Sequence, residues 1–191
     1  YFYKNNDGIL TSDSAYSFNS IKDGSMGFAD VDNDGDLDLV AIGNSGSRTS
    51  TVYLNNGSAF NSFQSLTGVD LASLNLFDLN KDGKIDITLM GKSPSRKFLF
   101  YQNNGTFFSA TSGTGSNVGS LNTIATDDIR YILATGLTGV AASSAIAKTY
   151  TFDNFNLVEQ QNLSVRYYSS TAVADFDNDG DLDLVIGGSY T

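Results

Sequence analysis

The chain writes one nine-residue phrase twice almost letter for letter, as Asp30-Val31-Asp32-Asn33-Asp34-Gly35-Asp36-Leu37-Asp38 and as Asp175-Phe176-Asp177-Asn178-Asp179-Gly180-Asp181-Leu182-Asp183. A third version, Asp78-Leu79-Asn80-Lys81-Asp82-Gly83-Lys84-Ile85-Asp86, keeps the pattern with Asn80 in place of a carboxylate. Carboxylates this dense repel one another strongly in a compact loop, so the chain must fold in a way that places a cation among them. A hard divalent ion such as calcium takes oxygens at about 2.3–2.6 Å, and acids at alternate positions converge on one point if the backbone turns sharply at the sixth residue. Gly35, Gly83 and Gly180 stand at that residue.

The expected metal residues are therefore Asp30, Asp32, Asp34, Asp36 and Asp38, then Asp78, Asn80, Asp82, Lys84 and Asp86, and finally Asp175, Asp177, Asp179, Asp181 and Asp183, with one Ca²⁺ per loop. Positions one, three, five and nine offer side-chain oxygens. Position seven (Asp36, Lys84, Asp181) offers its backbone carbonyl, so a lysine there leaves the ligand set intact. Thirteen of the twenty-one acidic residues lie in these loops, and three calcium ions would move the formal charge from −10 to −4.

An EF-hand would carry a bidentate Glu at position twelve and continue as a helix. Here that position is Ala41, Leu89 or Ile186, and the following residues are apolar and β-branched until Gly43, Gly91 or Gly187. Each loop is thus expected to join two strands. Numerous Phe, Tyr, Gly, Asn and Ser with a single Pro favour short strands and tight turns, which makes the chain all-β.

Asp30 and Asp78 are 48 residues apart, and Asp78 and Asp175 are 97 apart, two periods with one loop missing. The missing unit is Ile124 to Gly136, which has the strand, turn, strand and terminal glycine but no alternating carboxylates; it should not bind calcium. Tyr53-Leu54-Asn55-Asn56-Gly57 and Tyr101-Gln102-Asn103-Asn104-Gly105 share the period, and Asn-Gly is a hairpin-turn signal. Tyr3-Lys4-Asn5-Asn6-Asp7-Gly8 repeats it, with a weaker copy at Tyr150 to Asn154. Each period reads as four strands, giving one domain with units near 25–71, 72–118, 119–168, and 169–191 completed by 1–24. Radial repetition of such sheets is a β-propeller, here of about four blades, the last shared between the N- and C-terminal strands.

The loop between the first two strands of each unit resembles the FG-GAP/VCBS-type repeats of integrin α-subunit propellers, related fungal lectins and many bacterial and protist surface proteins. The resemblance covers essentially the whole chain, most strongly at Asp30 to Gly43, Asp78 to Gly91 and Asp175 to Gly187. It implies metals on one rim that brace neighbouring turns. The family usually has seven or eight blades, so four blades that close alone, a two-chain ring and a piece of a longer array all stay open.

The absence of Cys and His removes thiol and imidazole chemistry, and Glu159 is the single glutamate. The acidity argues against nucleic acid as a partner, and no apolar run reaches the length of a membrane span. Tyr1-Phe2-Tyr3-Lys4 does not read as a signal peptide, and the chain is expected to be a mature or excised piece. Calcium loops of this type fill at extracellular calcium levels, and sequons stand at Asn56, Asn104 and Asn162, where either a glycan or the demand for a left-handed turn explains Asn. The aromatic residues at blade spacing are expected in the core, against the alternative that Tyr3, Tyr53 and Tyr101 stack on sugars. Lys92, Arg96 and Lys97, which cluster in the second unit, and the isolated Arg130 and Arg166 read as a solvated face.

The expectation is a non-enzymatic, calcium-stabilised extracellular module for binding, adhesion or structural assembly, with an unidentified protein or glycan ligand and possible self-association into a larger ring. The alternatives are a lectin and a calcium-dependent polysaccharide lyase, whose site would need a base beside an open metal position.

Overall fold

The computed structural model describes residues 1–114, 119–125, 130–138, 144–153, 156–164 and 166–189. These residues form antiparallel sheets, and among them no helix is long and apolar enough to cross a membrane.

After a hairpin of β1 (Tyr3–Asn6) and β2 (Ile9–Ser12), the first complete unit contains β3 (Lys22–Ala29), β4 (Asp38–Asn44), β5 (Arg48–Asn55) and the start of the long β6 (Phe60–Phe77). The far end of β6 opens the second unit, which continues with β7 (Asp86–Ser93), β8 (Ser95–Asn103) and β9 (Phe108–Thr114). The third unit is β10 (Leu121–Ala125), β11 (Arg130–Leu137), β12 (Ala145–Asp153) and β13 (Asn156–Asn162). The tail contributes β14 (Tyr167–Ala174) and β15 (Asp183–Ser189).

Alternation within each strand divides the core. In β4, Leu39 and Ala41 face Tyr53, Phe60, Phe2 and Tyr16, while Val40 and Ile42 join Val69, Ile87, Leu89, Leu99 and Tyr101 of the second unit. In β8, Phe98 and Phe100 take the opposite face and meet Leu121, Ile132 and Tyr150 of the third unit. The sheets of the first two units are therefore buried on both faces, which explains the near-continuous apolar runs of β4 and β7. The expectation that aromatics fill these layers holds for Tyr53 and Tyr101. They are 6% and 4% exposed, so neither ring is open to a sugar.

Polar side chains stitch successive first strands together. Ser73 Oγ donates to the Gly119 carbonyl at 2.5 Å, Asn75 bonds Thr123, and Ser120 and Thr171 hydroxyls meet at 2.8 Å.

A register shift recurs near the start of the first strand in three units, with Asp23, Leu71 and Tyr168 at positive φ of 51, 49 and 49°. The glycine closing the second strand lies against this bulge. A Cβ on Gly43 would stand 2.8 Å from the Lys22 carbonyl oxygen, and one on Gly91 would stand 2.9 Å from that of Asp70.

The expected sharing of one blade by the two ends of the chain is where the structure departs. The β1–β2 and β14–β15 pairs are separate two-stranded sheets. β1–β2 is instead anchored at the first unit, where Phe2 lies 4.7 Å from Tyr16 and 6.1 Å from Phe60, and Asp13 N–H donates to the Phe2 carbonyl.

Candidate metal centres

Each acidic loop lies between the first and second strands of a unit: β3 ends at Ala29 and β4 starts at Asp38, β6 and β7 flank the second loop, and β14 and β15 flank the third. All three share one backbone. The fourth residue is left-handed (Asn33 φ 60°, Lys81 φ 61°, Asn178 φ 60°), and so is the sixth (Gly35 φ 96°, Gly83 φ 82°, Gly180 φ 95°). The glycine is required for its φ and not for space, because nothing lies within 4 Å of a Cβ built on any of the three.

The same hydrogen bonds then aim the acids inward. Asp34 N–H donates to Asp30 Oδ1 and Gly35 N–H to Asp30 Oδ2; Asp82 and Gly83 treat Asp78 likewise, as Asp179 and Gly180 treat Asp175. The ninth-position acid accepts the N–H of the second loop residue, from Val31 to Asp38 at 2.9 Å, Leu79 to Asp86 at 3.1 Å and Phe176 to Asp183 at 2.9 Å.

This scaffold gathers Asp30, Asp32 and Asp38 so that one oxygen of each lies within 4.8 Å of the others, and does the same for Asp175, Asp177 and Asp183. In the second loop Asp78 and Asp86 occupy the same scaffold with Asn80 between them. Asp34 and Asp179 stand outside the two trios; each accepts a backbone N–H, from Asp36 and Asp181, within the turn. Lys84 Nζ lies 3.5 Å from Asp82 Oδ2, so the second loop holds an internal cation beside a candidate ligand. Asp127 and Asp128, where a turn without calcium is expected in the third unit, lie outside the described residues.

Charge and burial strain these acids in the absence of a cation. Burial pushes the Asp86 carboxyl up to about 6, against the pull of the Asn103 and Leu79 N–H groups, and burial likewise raises Asp38. Asp32 is raised by burial and then by the charges of Asp38 and Asp34. An all-oxygen donor set with converging negative charge fits a calcium-sized hard cation, which would bind through Asp30, Asp32 and Asp38, through Asp78, Asn80 and Asp86, and through Asp175, Asp177 and Asp183.

Three braces around the loops were not visible in the spacing. Asn55 and Asn103, two residues after the tyrosine of the third strand, clamp the ninth-position acids: their N–H groups donate to Asp38 Oδ1 at 2.8 Å and Asp86 Oδ1 at 2.9 Å. Asn33 Nδ2 donates to the Gly83 carbonyl at 3.3 Å, tying the first loop to the second. Arg130 of the third unit bonds the Asp78 carbonyl, lies 3.8 Å from the Asp78 carboxylate and stacks 4.8 Å over Phe77. That corrects the reading of Arg130 as part of a solvated face.

Of the sequon residues, Asn56 and Asn104 are exposed at the turn before the fourth strand, and Asn162 is exposed with its Nδ2 donating to Glu159. The left-handed residues in the two turns are Gly57 and Gly105, so a demand for positive φ does not explain the asparagines. Asn56 Oδ1 accepts the N–H groups of Ser58 and Ala59, and Asn104 Oδ1 those of Thr106 and Phe107.

No curated protein matches the chain. Residues 30–89, from the first acid of the first loop through the second loop into β7, match the family model of the FG-GAP-like repeat.

Proposed function

We propose that the chain is a calcium-stabilised module of the β-propeller type that acts outside the cell as a scaffold for binding, adhesion or assembly, and not as an enzyme. The observation that carries this reading is the repetition of one loop backbone at Asp30, Asp78 and Asp175, with the first, third and ninth side chains turned to a common centre in two of them. The propeller arrangement is supported by sheets stacked face to face and by the polar contacts between their first strands.

Calcium here supplies charge neutralisation and loop stiffness. The residues of this chain do the rest: the Asn clamps and the Asn33–Gly83 bond hold adjacent turns in one rim, so a partner meets a surface that is already ordered. A structural role favours loops that are alike, as these are, whereas metal-assisted catalysis needs one with an open position and a base. Exposed Asn56 and Asn104 occupy equivalent turns and suit glycan attachment in a secreted protein.

The test is thermal unfolding with calcium and with excess chelator. A markedly higher melting temperature in calcium supports the reading; equal melting temperatures reject it. A glycan-array screen then separates a sugar ligand from a protein ligand.

A further inference from the structure

We propose that Asn103 makes the first and second acidic loops one coupled unit, so that a calcium ion in either loop tightens the binding of calcium in the other. This rests on the calcium reading above and adds a positioning residue and the dependence of one site on its neighbour.

A continuous run of hydrogen bonds leads from one candidate ligand to the other. Asp86 Oδ1 accepts the Asn103 N–H at 2.9 Å, Asn103 Nδ2 donates to the Val31 carbonyl at 2.6 Å, and the Val31 N–H donates to Asp38 Oδ2 at 2.9 Å. Every residue of the run is enclosed: Asp38 and Asp86 are fully buried, Asn103 is 2% exposed and Val31 4%. Water does not compete for these bonds, so a group set in place at one end restrains the group at the other. The Asn103 amide is also locked from its own side, with Nδ2 3.2 Å from the Ile85 carbonyl and Oδ1 accepting the Gly105 N–H at 2.9 Å.

A second path runs parallel to the first. Asn33 Nδ2 donates to the Gly83 carbonyl at 3.3 Å, and the Gly83 N–H donates to Asp78 Oδ2 at 3.1 Å. Its bonds are longer and open to water, so Asn103 carries the larger share. The third loop supplies the control: among the described residues its carboxylates accept hydrogen bonds from within that loop alone.

What passes along the run is order. An ion in the first loop fixes Asp38, and through Val31 and the Asn103 amide it fixes Asp86 before the second ion arrives. The second ion then loses less binding free energy to ordering its ligands. Linkage makes the effect reciprocal. Repulsion between two divalent ions has the opposite sign, loosening one site as the other fills.

The amide resonances of Gly35, Gly83 and Gly180, whose N–H groups bond the first acid of each loop, report the three sites separately in a calcium titration followed by NMR. Asp32→Ala removes an exposed carboxylate from the first loop and leaves Asp38, Val31 and Asn103 in place. With the first loop emptied, the second loop's dissociation constant should rise about fivefold or more, whereas in an Asn103→Ala background Asp32→Ala should change it less than about twofold. The third loop's dissociation constant should stay the same throughout. Asn33→Gly tests the other path at an exposed position whose φ of 60° glycine keeps, and there the effect of Asp32→Ala should stay above about threefold. Its disappearance would move the link from Asn103 to Asn33 and overturn the proposal. So would an Asp32→Ala effect that is equal with and without the Asn103 amide, or a second loop that tightens once the first is emptied. Three sites that fill independently would reject the coupling and leave the calcium scaffold standing; resonances indifferent to calcium at all three glycines would reject that scaffold as well.

Discussion

The side-chain amide of Asn103 donates to the Val31 carbonyl at 2.6 Å, across 72 residues of chain, while the Asn103 N–H holds Asp86 at 2.9 Å. One residue thereby joins the acidic loop of its own unit to that of the unit before. Asn55 makes the equivalent local bonds, to Leu37 and Asp38, and is more exposed. Asn103→Ala should therefore destabilise the chain by about 2–3 kcal/mol and Asn55→Ala by about 1 kcal/mol, the difference reflecting a buried carbonyl left without its donor. Urea denaturation of the two variants measures it, and equal losses would remove the inter-loop brace from the account.

Arg130 should matter to the second unit as much as to its own. Replacing it with Met removes the bond to the Asp78 carbonyl, and replacing it with Lys keeps the charge but loses the flat guanidinium over Phe77. Both are expected to cost about 1–2 kcal/mol, with Lys recovering less than half. Full recovery by Lys would mean that charge alone is what Asp78 needs.

Gly91 and Gly187 stand at equivalent positions but in different surroundings. A Cβ on Gly91 meets the Asp70 carbonyl oxygen at 2.9 Å, and one on Gly187 finds its nearest neighbour, the Ser170 carbonyl oxygen, at 3.9 Å. Gly91→Ala should cost about 1–3 kcal/mol through forced backbone movement, and Gly187→Ala less than about 0.5 kcal/mol. Thermal unfolding of the two variants under identical conditions checks the contrast.

These positions also show what the sequence makes legible. The acidic loops are written locally: carboxylate spacing and the sixth-position glycine lie within nine residues, and Gly35, Gly83 and Gly180 adopt the positive φ that the spacing demands. The apolar run after each loop is legible as a strand for the same reason, whereas the division of β4 and β8 between two cores is seen only in the packing. The left-handed bulge at Leu71 and Tyr168 is hidden, because a leucine and a tyrosine carry no local signal for that conformation and are held there by the sheet. Asn103 to Val31 and Arg130 to Asp78 are likewise products of unit packing, invisible until the turns are side by side. The separation of β1–β2 from β14–β15 runs against the repeat arithmetic, since a matching period says which strands are compatible and not that they pair.

The second loop should be the weakest metal site. It has Asn80 where the others have Asp, and Lys84 already lies 3.5 Å from Asp82. Calcium titration of Asp32→Asn and Asp177→Asn variants should each weaken one of the tighter binding events toward that of the second loop, while Lys84→Ala should tighten the second loop's own binding severalfold. Unchanged affinity in Lys84→Ala would show that the lysine does not compete with the ion.

Calorimetric titration of calcium into the chelator-treated chain tests the central claim most directly. The account predicts three calcium ions bound per chain, two more tightly than the third, and a stability gain of about 2.7 kcal/mol per site once calcium exceeds that site's dissociation constant a hundredfold. A titration with no binding heat and no accompanying rise in melting temperature at millimolar calcium would contradict it.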